Sequence, residues 1–268
     1  MNSSDPDHGT DTGSGQNRKE ASFAMIAAKL ADDLTANILS GAVLLILIFT
    51  VVSIIDISGF NSRGMDDVKE RDLNKLMKMN PDVTAWLSID GTRIDNPVVQ
   101  GKDNFEYLDL DIYRNYYAGG TLFLDHENSR DYSDSYNVIH GHHMSQGAMF
   151  GDLDRFLDED FLKENCTGIL TTPEGRFSLD IIAAGTADAY DAAVYSVKGD
   201  MSGHIKALLK AASCIRRKGR LKSMKGSRKS RRKNADYERI LVLSTCTGAM
   251  DDSRTIVVCL MERVGSDQ

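Results

Sequence analysis

The run Leu243-Ser244-Thr245-Cys246, the Arg254 that follows it, and His142 in the upstream block Ile139-His140-Gly141-His142-His143-Met144 offer a thiol, a fixed positive charge and an imidazole. These are the parts that acyl transfer through a cysteine requires. The thiolate is the attacking species, and an unperturbed cysteine with a pKa near 8.5 is only about 3% thiolate at pH 7. Cys246 therefore needs a base or a positive neighbour. The imidazole of His142 titrates near working pH, so it can protonate a departing amine and later deprotonate the entering one. Arg254 stays charged throughout and suits a developing oxyanion or a substrate carbonyl.

Each of these residues has a plainer reading when taken alone. A cysteine in an apolar run is usually a small buried hydrophobe, and Cys166, Cys214 and Cys259 read that way. A lone histidine is more often structural, and a lone arginine is usually a solvated charge. Their settings separate these three from that background. Arg239-Ile240-Leu241-Val242-Leu243 reads as a strand that delivers Cys246 to its end, where Thr247-Gly248 begins a loop. His142 follows the strand-like Asn137-Val138-Ile139 and sits in a glycine-punctuated turn.

The blocks Val138-Ile139-His140-Gly141-His142-His143-Met144 with Met149-Phe150-Gly151-Asp152-Leu153, and Leu243-Ser244-Thr245-Cys246-Thr247 with Asp251-Asp252-Ser253-Arg254, resemble the two signature regions of class B sortases. Gly101-Lys102-Asp103-Asn104 with Tyr107-Leu108, and Gly119-Gly120-Thr121-Leu122-Phe123-Leu124-Asp125, are also similar to that family, and the likeness runs from residue 65 to residue 263. Sortases are membrane-anchored cysteine transpeptidases of Gram-positive bacteria. They cleave a sorting signal near the C-terminus of a secreted protein and join the new carboxyl end to an amine of the cell-wall precursor or of a pilin. The resemblance implies that His142, Cys246 and Arg254 are catalytic. Two positions depart from the family pattern: His140 stands where Tyr is common, and His143 where Asn is frequent.

The elements that must carry these residues read as mainly β. Ala85–Ile89 and Thr92–Ile94 flank Asp90-Gly91, a two-residue hairpin signal. Further strands are expected at residues 97–100, 121–124, 136–140, 168–171, 177–185, 192–197, 239–245 and 255–263. Many short strands at this spacing suggest a closed barrel of about eight strands, in line with the sortase-like fold that the resemblance implies. Helices are accessory. One precedes the barrel, where Met65, Val68, Leu73, Leu76 and Met77 keep helical spacing until Asn80-Pro81 stops it. Others are expected near residues 147–156 and 202–213.

Ahead of this catalytic domain, residues 65–268, residues 58–64 form a linker. Residues 38–57 are apolar apart from Ser40, Thr50, Ser53 and Asp56, and at about 1.5 Å per residue they are long enough to span a bilayer core of about 30 Å. The expectation is an uncleaved single-pass anchor behind a cytoplasmic tail, residues 1–37, that is polar and disordered at its start and then helical. Lysines and arginines flank both sides of the span, so charge does not orient it. The resemblance places the catalytic domain outside the cell membrane.

Residues 216–233 hold eleven Lys or Arg and no acid within a chain of net charge −7. Without interleaved aromatics this reads as a flexible basic insertion, with contact to anionic wall polymer or lipid as the functional alternative and nucleic acid least favoured. A required free thiol leaves three other cysteines, so no structural disulfide is expected. His140, His142 and His143 lack a cysteine or carboxylate at ligand spacing, so no metal site is expected, and with no phosphate-binding glycine loop or dinucleotide fingerprint no cofactor is implied.

Three functions compete on the sequence alone. The first is a class B-like transpeptidase acting on sorting-signal proteins and an amine acceptor. The second is a cysteine peptidase or amidase that passes the acyl group to water, although His precedes Cys here, the reverse of the papain-like order. The third is a non-enzymatic, membrane-anchored wall-binding protein.

Overall fold

A computed structural model describes residues 25, 29, 30, 34, 35, 37–48, 50, 72–144, 147–224, 239–246 and 252–264. The chain divides into two units, Met1–Arg63 and Gly64–Gln268.

In the first unit, residues 37–48 are helical, and Ile38, Leu39, Val43, Leu44, Leu45, Ile46, Leu47 and Ile48 are all exposed. Thr50 turns its hydroxyl back onto the carbonyls of Ile46 and Leu47, at 3.0 and 2.8 Å, which satisfies a polar group inside an apolar stretch. Residues 49 and 51–57 of the expected span lie outside the described residues. Among the described residues, no helix is long and apolar enough to cross a membrane.

The second unit is a closed barrel. Its strands are β1 (Val83–Ile89), β2 (Asp95–Val99), β3 (Leu122–Leu124), β4 (Tyr136–Gly141), β5 (Thr167–Thr172), β6 (Gly175–Asp188), β7 (Ala212–Ile215), β8 (Arg239–Cys246) and β9 (Ser253–Arg263). Hydrogen-bonded neighbours run β5-β1-β2-β3-β4-β8-β9-β6, and pairing of β6 with β5 closes an eight-stranded ring. β7 stands outside that ring. It pairs with the far half of the long β6, beyond the reach of β5.

Alternation along the strands divides the apolar residues between two sides of the wall. Ala85, Leu87 and Ile89 of β1, Ile139 of β4, Leu241 and Leu243 of β8, and Val257, Cys259 and Met261 of β9 fill the interior. Val138, Ile240, Val242, Ile256, Val258 and Leu260 point outward and are covered by helices at Ala192–Tyr195, Met201–Ala211 and Lys218–Ser223, which bury Val194, Ile205, Leu208 and Leu221. A third cluster seats the helix Leu73–Met79 and the residue 101–118 loop on Trp86, Val99 and Phe123. A bulge between Ile181 and Ala183 changes the phase of β6, so Ile181 and Ala184 face inward while Ile182 and Ala183 face outward.

Several expected elements changed. The segment at 192–197, read as a strand, opens with a short helix because the Asp191 carboxylate accepts the N–H of Ala193 at 3.0 Å and starts a helical turn. The Asp90-Gly91 hairpin is wider than two residues: Ile89 N–H reaches the carbonyl of Ile94, and regular pairing resumes at Ser88 and Asp95. β7 had no counterpart in the sequence reading, nor had the helix Glu159–Glu164. The start of the basic segment folds as the helix Lys218–Ser223, held by the fully buried Leu221, while residues 225–233 lie outside the described residues.

Candidate active site

Register brings the three sequence-selected positions into one row. β4 and β8 run parallel, with His140 opposite Ser244 and Gly141 opposite Thr245. β8 and β9 run antiparallel, with Thr245 opposite Thr255 and Cys246 opposite Arg254. His142 is the residue after Gly141, so the backbones of His142 and Arg254 flank that of Cys246 at the same end of the barrel. Neighbouring strands lie about 4.8 Å apart, which puts all three positions within reach of one reacting group. Both flanking residues continue the even-numbered, outward set of their strands. His142 is exposed and Arg254 partly exposed.

Local contacts fix the chain around His142. Its carbonyl accepts the N–H of Phe150 at 3.1 Å, and His143 forms an antiparallel bridge with Met149, so the segment folds back on itself immediately past the strand. Gly141 is required here. A β-carbon at this position would lie 2.4 Å from Leu122 Cδ2 and 2.6 Å from Phe150 Cδ2, and both of those side chains are fully buried.

One step down the strands, polar side chains line the same outward face. His140 Nε2 is 3.2 Å from Asp125 Oδ2, and its ring stands near those of Phe123 and Tyr195. The Tyr195 hydroxyl is 3.1 Å from that of Ser244. Burial works to raise the pKa of Asp125, but hydrogen bonds from His140, the Glu127 N–H and Asn104 outweigh it and hold the carboxyl below the usual carboxylate range. Asp154 engages the other histidine. Its Oδ2 lies 2.9 Å from His143 Nε2, and its Oδ1 accepts the Thr255 hydroxyl at 2.5 Å.

His140 and His143 thus belong to separate carboxylates on different elements. Among the described residues, no cluster of three or more His, Cys, Asp or Glu could hold a metal ion. Cys214 and Cys259 are buried, and Cys166 is half-buried with its thiol free. Burial pushes the Cys259 thiol well above the ordinary range, which leaves it unreactive at neutral pH.

Sequence reasoning singled out the row itself but missed Asp125, Asp154, Tyr195 and Thr255. Asp154 lies just past the Gly151-Asp152-Leu153 block, and no periodicity marks it as the partner of two distant side chains.

No protein-family model matches the chain. Among curated proteins, it is 36% identical over 121 residues to Sortase B of Listeria monocytogenes, covering 44% of this chain and 49% of that protein. It is 30% identical over 109 residues to Sortase B of Staphylococcus aureus, covering 41% of this chain and 45% of that one. The matches therefore span about half the length of these curated relatives. Among solved structures, a class B sortase of Streptococcus pyogenes involved in pilus biogenesis superposes with a TM-score of 0.59 at 27% identity, covering 72% of this chain and 98% of that one. In its closed barrel and in these likenesses, the chain is similar to class B sortases.

Proposed function

We propose that the chain is a cysteine transpeptidase that cleaves a C-terminal sorting signal and transfers the acyl group to an amine. The observation that carries this reading is the row His142, Cys246, Arg254 across three adjacent strands. The Cys246 sulfur attacks the scissile carbonyl carbon, and Arg254 stabilises the oxyanion that forms. Collapse breaks the C–N bond while His142 gives its proton to the departing amine, leaving a thioester. An incoming amine attacks the thioester carbon and His142 takes its proton. The C–S bond then breaks and the thiolate is restored, so neither a cofactor nor a metal enters the cycle.

The natural substrates in this reading are secreted proteins that carry a sorting signal, and the acceptor is an amine of peptidoglycan precursor or of a pilin. The exposed apolar helix at residues 37–48 supports an anchor over residues 38–57, with the catalytic domain on the outer side of the cell membrane.

The test incubates the full-length chain, and its Cys246→Ala variant, with a panel of sorting-signal peptides, with and without triglycine, and reads the products by mass. The expected result is an adduct on Cys246 and a triglycine-linked product, both absent from the variant. Turnover in Cys246→Ala would refute the mechanism. Hydrolysis at the same rate with and without triglycine would instead establish the peptidase reading.

A further inference from the structure

The 3-10 helix Gly151–Leu157 closes one end of the barrel beneath the catalytic row, with Leu153 and Phe156 fully buried in the interior cluster. Between those two anchors, Asp154 holds the residue that follows His142 with one carboxylate oxygen and the residue that follows Arg254 with the other. β4 and β9 do not pair with each other, since β8 lies between them, so this carboxylate is a direct brace across the two flanks of Cys246.

We propose that Asp154 is a positioning residue for the transfer reaction: by tying His143 to Thr255 it sets the separation of His142 from Arg254 on either side of Cys246. The claim rests on the transpeptidase reading above and adds to it a residue that touches none of the reacting atoms. The Asp154 side chain is 40% exposed, so removing a partner leaves no charge stranded away from water. Thr255, by contrast, is fully buried, and its hydroxyl reaches inward to Asp154 from the strand position next to Arg254. A hydrogen bond to a carboxylate is directional and short, so it adds a side-chain tie to the backbone pairing of these strand ends.

The test compares paired variants of the full-length chain: Thr255→Val, isosteric but lacking the hydroxyl, with Thr255→Ser; and His143→Leu with His143→Gln, whose amide can still donate to Asp154. Turnover of a sorting-signal peptide, thermal midpoint and the rate at which a small uncharged thiol reagent alkylates Cys246 are measured for each. We expect Thr255→Val and His143→Leu to lower kcat about tenfold with KM within about twofold, a smaller loss than the roughly hundredfold that a 1 Å misplacement of reacting groups can cost. Thr255→Ser and His143→Gln should recover to within about threefold of the parent, and Asp154→Asn should fall between the two groups.

Full kcat in Thr255→Val or His143→Leu would overturn the proposal, as would equal losses in the disruptive and conservative members of a pair. Should the parent chain turn over none of the peptides, the transpeptidase reading fails by itself. Cys246 alkylation then decides the brace: slowed in the disruptive variants alone, it stands; unchanged in all, it falls.

Discussion

Replacing Gly141 by Ala puts a methyl group where the barrel has no room. The new carbon would sit 2.4 Å from Leu122 Cδ2 and 2.6 Å from Phe150 Cδ2, about an ångström inside the 3.4 Å at which ordinary contact begins. Neither neighbour has solvent to retreat into, because both are fully buried. Overpacking of this kind costs about 1–3 kcal/mol, so with a urea m-value of about 2 kcal/mol/M the midpoint should fall by roughly 0.5–1.5 M at constant m. The Phe150 N–H holds the carbonyl of His142, so if Phe150 gives way the proposed transpeptidation should fall further than stability alone explains. The control is Gly203→Ala, in the helix Met201–Ala211, where a β-carbon meets nothing within 4 Å and the helix should gain about 0.5–1 kcal/mol. Urea melts of the three proteins, followed by tryptophan fluorescence, give both signs in one experiment. A midpoint for Gly141→Ala within about 0.2 M of the parent, below the smallest overpacking cost, would refute the packing argument.

Other outcomes follow from the burial and electrostatics of the barrel. Leu221→Ala should cost about 2–5 kcal/mol by opening a cavity under the basic helix, whereas the exposed Lys222→Ala should stay within about 0.5 kcal/mol, both read from denaturant midpoints. Because the folded protein holds the Asp125 carboxyl below its unfolded value, this group contributes stability that is present above about pH 3.9 and lost as pH falls through the depressed folded pKa. Asp125→Asn should therefore be less stable than the parent at pH 7, and the gap between them should shrink through that acid window. Equal stabilities at neutral pH would remove Asp125 from the account. A charged thiol reagent at pH 7 should leave Cys259 unmodified in the folded chain and label it once urea unfolds the barrel, checked by peptide mass mapping.

Much of this architecture was legible because a barrel wall writes itself as alternation. Leu241 and Leu243 against Ile240 and Val242 declare a strand buried on both faces, and β4, β5 and β9 were found within a residue or two of their ends. The failures lie where tertiary context decides. In Ala192-Ala193-Val194-Tyr195 the two alanines favour a helix while Val194 and Tyr195 favour a strand, and the turn is settled by the Asp191 cap together with the packing of Val194 on the outer core. Ala212–Ile215 becomes a strand only because β6 outruns β5 and leaves an edge to pair with. That positions 142, 246 and 254 lie close together could be read from strand ends: Cys246 closes β8, His142 follows the last residue of β4, and Arg254 is the second residue of β9. The carboxylates behind them could not: Asp125 and Asp154 reach His140 and His143 through folding, and nothing in the spacing of those residues announces the contact.

β4 and β8 lie side by side in the wall yet far apart along the polypeptide, and their parallel alignment forces the whole intervening stretch to be laid down elsewhere before the two can meet. Closing a loop of about a hundred residues costs on the order of 4 kcal/mol in entropy, a cost that the pairing of β8 with β9 and of β9 with β6 helps to offset. Positions 142, 246 and 254 would thus stay apart in a chain still folding, and would meet only as the last seam of the cylinder seals.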